Sequence, residues 1–280
     1  MQRIKSALNK ATLVLSTDSD SAALDAEILL CFVLNKERTY LRTWPDLELK
    51  TEQTDRYWTL IQERQKGRPI AYITGHREFW SRDFLVTPDV LIPRPDTELL
   101  IELSLTLIPD NTATKIIDLG TGSGIIAVTL AAERPLAQIS ATDLSLAALH
   151  IAQLNANKHH TTIKFLHSDW FANVPTNKFD LIISNPPYIA EYDKHLSQGD
   201  LRFEPLSALR ASDQGLSDIK LIADNARDYL EPGGYLLIEH GYDQQQAVET
   251  IFIDYDYKAV KTAKDLSGQP RVTYGQWLKI

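Results

Sequence analysis

"DLGTGSGIIAVTLA", residues 118–131, sets Gly120, Gly122 and Gly124 at alternate positions between the apolar run "KIIDL" (115–119) and a helical pattern. Glycine reaches positive φ without a Cβ clash, so the chain can turn sharply at the end of a strand and lie close against a ligand. The spacing is G-x-G-x-G, not the G-x-G-x-x-G that seats a pyrophosphate on a helix N-terminus. Asp118, an acid directly before the turn, opposes a pyrophosphate and suits a cationic or amino-bearing ligand.

Beyond this turn, apolar runs alternate with helical patterns: "QISATD" (138–143), "IKFLHSD" (163–169), "FDLIIS" (179–184) and "GYLLIEH" (234–240). Two further candidate strands lie near 257–261 and 271–277. Alternation of this kind argues for a parallel sheet covered by helices on both faces, an α/β fold. Asp143 ends the second strand, where a carboxylate can accept bonds from both ribose hydroxyls. A cofactor with a ribose, an α-amino group and a sulfonium but no phosphate fits these features, and S-adenosylmethionine is such a molecule. "HSDWF" (167–171) ends the third strand, where Asp169 or Trp170 could bond or stack on an adenine. A core aromatic is the other reading of Trp170.

The fourth strand delivers "NPPY", Asn185 to Tyr188, to the same rim. An amide nitrogen is a poor nucleophile because its lone pair is delocalised, so its main need is positioning. The Asn185 side-chain oxygen can accept one N–H and the Pro186 carbonyl another, stabilising the positive charge that develops on nitrogen. Pro186 and Pro187 offer carbonyls without a competing N–H and hold the loop through their fixed φ. Tyr188 supplies a flat face for a planar amide or base. No strong general base is needed, because a methylated cationic nitrogen loses its proton readily.

Residues 1 to about 75 read as a small helical bundle, with Leu24, Ile28, Cys31 and Phe32, then Tyr57, Leu60, Ile61 and Arg64, at helical spacing. From Glu78 to Ile92 the chain is rich in aromatic and branched residues and is broken by Asp83 and Pro88, which predicts a β-hairpin. "PRPDTE" (93–98) then starts a helix with Asp96 or Thr97 as N-cap. The division expected is therefore 1–75, a hairpin linker over 76–93, and 94–280.

Net charge is −8, which opposes non-specific binding to a polyanion. Cys31 is the only cysteine, so an internal disulfide and a cysteine zinc cluster are excluded, and a reducing, cytoplasmic setting is expected with Cys31 as a buried apolar residue. No apolar run approaches the ~20 residues of a membrane span. His159, His160 and His240 lack metal-ligand spacing, and no metal is expected; His240 reads as structural. Arg94 and Glu98 either border the pocket or form an inter-domain ion pair, and Phe203 and Glu204 could cover it.

Asp118–Gly124 and Asn185–Tyr188 together resemble a class I amino-methyltransferase. Further stretches resemble the HemK/PrmC family of protein-(glutamine N(5)) methyltransferases: "DAEILL" (25–30), "GRPIAYITG" (67–75), "EFW" (78–80), "LIPRPDTE" (91–98), "GDLRFEP" (199–205), "EHG" (239–241) and "DLSGQPRV" (265–272). The resemblance implies a Rossmann-like S-adenosylmethionine-dependent fold with a mostly parallel seven-stranded sheet, behind a helical domain that grips the protein substrate. It implies Gly120, Thr121, Gly122, Ser123, Gly124, Asp143 and Trp170 as cofactor-binding residues. Asn185 would touch cofactor and substrate, with Pro186, Pro187 and Tyr188 completing a glutamine pocket. The implied reaction methylates the GGQ glutamine of class 1 peptide chain release factors, yields S-adenosylhomocysteine, and needs no nucleic acid, membrane or second subunit. Glutamine methylation of a ribosomal protein, and amino-methylation of adenine or cytosine in a nucleic acid, remain the alternatives.

Overall fold

The computed structural model describes residues 2–17 and 19–278. It divides into two compact units: residues up to His76 together with Gln198–Phe203, and Arg77–Ser197 together with Glu204–Ile280.

The first unit holds helices α1 (Ile4–Leu15), α2 (Ala22–Leu34), α3 (Arg38–Thr43), α4 (Thr51–Gln65) and α5 (Ile70–Thr74), with a short ribbon of β1 (Gln2–Arg3) and β2 (Glu48–Leu49). Ile4, Ala7, Ala11 and Leu15 form one stripe of α1 and pack with Ala26, Leu29 and Leu30 of α2 and Tyr57 and Ile61 of α4. The expected α2 stripe is displaced: Leu24 is exposed, while Ile28, Cys31 and Phe32 are only half-buried. Because α2 is apolar nearly all round, periodicity alone does not select its inner face. Asp25 helps to select it. This buried carboxylate accepts from Arg64 Nε at 2.8 Å, Ser19 Oγ at 2.8 Å and Ser21 Oγ at 3.0 Å, while Arg64 also reaches Asp200 at 3.3 Å.

In the second unit a hairpin of β3 (His76–Phe79) and β4 (Arg82–Leu85) turns at Trp80 and Ser81, both at positive φ, so the break lies before Asp83 and not at it. Turns of this kind favour Asn and Gly. Trp80 holds the position because its backbone N–H donates to Glu98 at 2.9 Å and its indole N–H to Glu133 at 3.2 Å. Helix α6 (Glu98–Leu107) follows a 3-10 turn at Pro95–Thr97, and neither Asp96 nor Thr97 caps it with a side chain. Continuous helical backbone through Thr97 removes the need, which leaves its hydroxyl for other work.

The main sheet comprises β5 (Lys115–Leu119), β6 (Gln138–Asp143), β7 (Ile163–His167), β8 (Phe179–Ser184), β11 (Leu230–Glu239), β12 (Lys258–Lys264) and β13 (Pro270–Gln276). A small ribbon of β9 (Ile189–Ala190) and β10 (Arg210–Ala211) follows β8. The order is β12-β13-β11-β8-β5-β6-β7; β13 runs antiparallel to both its neighbours and the other pairings are parallel. Between the strands lie α7 (Ile125–Glu133), α8 (Leu146–Lys158), α9 (Ser212–Gly215), α10 (Ser217–Tyr229) and α11 (Gln245–Asp254). Residues alternate between the two cores: Ile116 and Ile183 pack with Leu100, Ile101 and Val128, whereas Ile117 and Ile182 pack with Ile219, Ile222 and Phe252. Strand order reverses between β5 and its two neighbours, which opens a crevice at the carboxyl ends.

Replacing Arg64 by Ala strands the buried Asp25 carboxylate and should destabilise the chain by about 3 kcal/mol or more. Urea denaturation of the two proteins checks this, and equal midpoints would count against a structural role for the pair.

Candidate functional site

Parallel register brings four strand ends level. Leu119 of β5 pairs with Thr142 of β6 and Ser184 of β8, and Asp143 pairs with His167 of β7. The residues that follow, Gly120, Leu144, Ser168 and Asn185, therefore emerge along one rim. Ser184 Oγ donates to the Leu119 carbonyl at 2.8 Å and fastens β8 to β5 directly beneath it.

A cavity of about 310 Å³ opens at this rim. Its floor is the glycine turn Gly120 to Ser123 with Asp143, Asp169 and Trp170; Asn185 and Pro187 form one wall, and Arg94, Thr97, Ala208 and Arg210 belong to its border. Size and composition suit a small organic ligand.

Gly120, Gly122 and Gly124 all have positive φ. A Cβ on Gly120 would lie 3.2 Å from the Trp170 ring and one on Gly124 would lie 3.0 Å from Ala152 Cβ, whereas one on Gly122 would meet nothing within 4 Å. Two of the glycines thus permit close packing and the middle one faces open space. Asp143 joins this turn to the next: Oδ2 accepts the Gly122 N–H at 2.9 Å and Oδ1 the Ser145 N–H at 2.8 Å. Each oxygen keeps a further lone pair. Burial pushes the Asp143 pKa up, opposed by those two N–H bonds.

Asp118 differs from the sequence expectation. It is fully buried, does not line the cavity, and accepts the Thr121 hydroxyl at 2.6 Å from beneath the turn. Burial pushes its pKa up to about 7. It shapes the loop; a ligand cation would not reach it.

Trp170, at positive φ, packs against Gly120, and it shares the cavity lining with Asp218, a residue that the sequence does not single out. Asn155, a buried polar residue of α8, was equally unforeseen. Its amide donates to the Ser123 carbonyl at 2.8 Å and to the Leu85 carbonyl at 3.0 Å, and so ties the glycine turn to the hairpin.

Asn185 lies half-buried, with Nδ2 donating to Thr97 Oγ1 at 3.2 Å. Pro187 lines the cavity, while Pro186 is buried and neither it nor Tyr188 lines it. The Tyr188 hydroxyl donates to Glu239 Oε1 at 3.4 Å, and its carbonyl accepts from Gln244 Nε2 at 3.0 Å. Gly215, at φ +86°, lies so close that a Cβ there would sit 2.0 Å from the Tyr188 carbonyl oxygen.

Among the remaining candidates, Arg94 lines the cavity and pairs with the buried carboxylate of Glu204, which also accepts the Ile92 N–H at 3.0 Å. Glu98 instead holds the hairpin turn. Phe203 does not line the cavity. His240 is fully buried between the Gly241 carbonyl and the Thr273 hydroxyl, each at 2.8 Å, a structural arrangement. Among the described residues no cluster of His, Cys, Asp and Glu could hold a metal ion, and no helix is long and apolar enough to cross a membrane.

Residues 96–200 match the methyltransferase small domain and residues 6–75 the PrmC N-terminal domain. The release factor glutamine methyltransferase of Shewanella oneidensis is 49% identical over 99% of this chain and 97% of its own length. That of Escherichia coli is 46% identical over 92% and 94% respectively. In fold, the chain is similar to a methyltransferase from Pyrococcus furiosus, with a TM-score of 0.54 at 18% identity over 80% of this chain and 98% of that one. A T. thermophilus 16S rRNA methyltransferase in complex with AdoMet and guanosine gives a TM-score of 0.52 at 20% identity over 72% and 49%.

Folding favours the protonated form of Asp118 between the ordinary carboxylate range and about pH 7, so the native chain binds more protons there than the unfolded one. Stability should therefore fall as pH rises through that window. Asp118→Asn should flatten part of the slope, read as urea midpoints from pH 5 to pH 8; an unchanged slope would remove Asp118 as its source.

Proposed function

The chain belongs to the release factor glutamine methyltransferase family, and we propose that it transfers a methyl group from S-adenosylmethionine to the side-chain amide nitrogen of the glutamine in the GGQ motif of class 1 peptide chain release factors. The observation that carries the reading is the meeting of the glycine turn, Asp143, Trp170 and Asn185 around one cavity.

The residues present fit this methyl donor. Gly122 leaves open space above the turn, Asp143 retains acceptor capacity for ribose hydroxyls, and Trp170 offers a ring for the adenine. Gly120, Thr121, Ser123 and Gly124 shape the cradle. When bound, S-adenosylmethionine supplies an electrophilic methyl group on a sulfonium.

The protein's own part is to orient the acceptor. Asn185, with its Nδ2 turned to Thr97, keeps Oδ1 for one N–H of the glutamine amide. The Pro186 carbonyl takes the other, and no Pro N–H competes. Two acceptors stabilise the nitrogen as it gains positive charge in the transition state. Pro187 walls the pocket, and Tyr188, outside the cavity lining and held through Glu239 and Gln244, sets the turn from behind. The proton leaves to solvent or a nearby acceptor, so no strong base is required. The helical unit grips the release factor, and the enzyme works as a cytoplasmic monomer.

Purified release factor incubated with this protein and S-adenosylmethionine should gain the mass of one CH₂ on the GGQ glutamine, seen by peptide mass spectrometry. Asn185→Ala should lower kcat about 100-fold or more with donor affinity kept within a few-fold. Asp143→Ala should weaken donor binding about tenfold or more, by calorimetry. No added mass on the glutamine, despite donor binding, would overturn the substrate assignment.

A further inference from the structure

We infer that Gln244 is a positioning residue for the transfer: by holding the Tyr188 carbonyl it fixes the backbone of the Asn-Pro-Pro-Tyr turn, and with it the direction of the Pro186 carbonyl that receives the substrate amide. This rests on the proposed glutamine methylation.

Two consecutive prolines carry no N–H, so Pro186 and Pro187 cannot be tied down by backbone donation. Their φ is fixed but ψ is not, and ψ of Pro186 decides where its carbonyl points. The turn therefore has to be held from its ends. At one end Ser184 Oγ fastens β8 to β5. At the other, the peptide between Tyr188 and Ile189 is bonded on both sides: the Tyr188 carbonyl accepts Gln244 Nε2 at 3.0 Å, and the Ile189 N–H donates to the Leu209 carbonyl at 2.9 Å. The first of these bonds depends on one side chain.

The bonds of the Gln244 amide admit one orientation. Oε1 accepts the Gly241 N–H at 2.8 Å, while Nε2 donates to the Tyr188 carbonyl and, at 3.2 Å, to the Gln214 carbonyl. A backbone N–H needs an oxygen and a carbonyl needs an N–H, so reversing the amide would lose all three bonds. Gln214 stands at φ +57°, which costs a non-glycine residue free energy, and the bond to its carbonyl helps to hold it there. The root of the side chain is equally fixed. The Gln244 N–H donates to the Gly241 carbonyl at 3.0 Å, and its own carbonyl accepts the Val248 N–H at 3.0 Å as α11 begins, with Val248 and Phe252 fully buried. A rigid helix start thus reaches the segments that follow β8, β10 and β11.

Gln244 lies outside the cavity lining, so its part is to aim groups that lie inside or beside it. An acceptor carbonyl stabilises the nitrogen only at hydrogen-bond distance and in line as the charge develops, so a small displacement of the turn costs rate. Donor binding is spared, because the glycine turn and Asp143 stand on β5 and β6.

Two substitutions separate the ends of the amide. Gln244→Glu keeps an acceptor for Gly241 and loses both donors; Gln244→Lys keeps donors for the two carbonyls and loses the acceptor. For both and for the wild type, kcat is measured on purified release factor, donor Kd by calorimetry, and hydrogen exchange in the peptide spanning 185–192. Gln244→Glu should lower kcat about tenfold or more and speed exchange across the turn about tenfold, while Gln244→Lys stays within about threefold in both. Donor Kd, which only folded protein yields, should stay within about threefold throughout. If Gln244→Glu fails to fold, Gln244→Ala takes its place and should lose what Gln244→Lys retains. Equal losses in the donor-free and Lys variants, or exchange unmoved in the donor-free variant, would overturn the inference. A wild type that methylates, with the donor-free variant matching it in kcat, defeats this inference alone. A wild type that transfers no methyl group, with exchange raised in the donor-free variant and not in Gln244→Lys, defeats the assigned reaction and keeps the hold of Gln244 on the turn.

Discussion

Parallel register across four strands is the constraint from which the rest of the site follows. Because β5, β6, β7 and β8 end together, a glycine turn, a carboxylate, an aromatic and an asparagine from separate parts of the chain share one rim. A slip of one residue in any of these pairings would turn the inward side chains outward. The alternation of Ile116 with Ile117 between two apolar cores opposes such a slip. Packing deep in the sheet therefore sets positions at its edge.

Carboxylates do much of the fastening at that edge, and mostly toward the chain itself. Asp143 joins the first two turns through backbone N–H groups, Asp118 braces the glycine loop from below, and Glu204 brings the segment after β9 against Arg94 and Ile92. The acidic composition thus has a local structural use beyond its effect on the overall field.

That Gly120 to Ser123, Asp143, Trp170, Asn185 and Pro187 meet at one cavity is legible because each carries its meaning in consecutive residues, a special backbone conformation, a strand end or a missing N–H, whereas Gly124, Pro186 and Tyr188 fall outside its lining. The fold was legible for a related reason, since the strands are continuous apolar runs. Thr97, Asn155, Asp218 and Glu239 carry no such local mark. Each matters through a partner brought close by the sheet, and their polarity in apolar surroundings was the one available signal. Asp118 was misjudged because its place before the turn is visible in sequence, while the direction of its side chain, set by strand alternation, points into the protein. The hairpin turn lies earlier than the sequence pattern predicts because Trp80 and Ser81 lack turn chemistry, and two distant glutamate contacts compensate.

Gly215 adds a point about mutational tolerance. It lies outside the cavity lining and far along the chain from the Asn-Pro-Pro-Tyr segment, yet the Tyr188 carbonyl occupies the space its side chain would need. One added methyl group there would push on the turn from behind, with every residue of the segment still intact. Variation at a position that looks like ordinary loop is thus barred by the backbone of another segment, so the portion of this chain closed to change is wider than the pocket it surrounds.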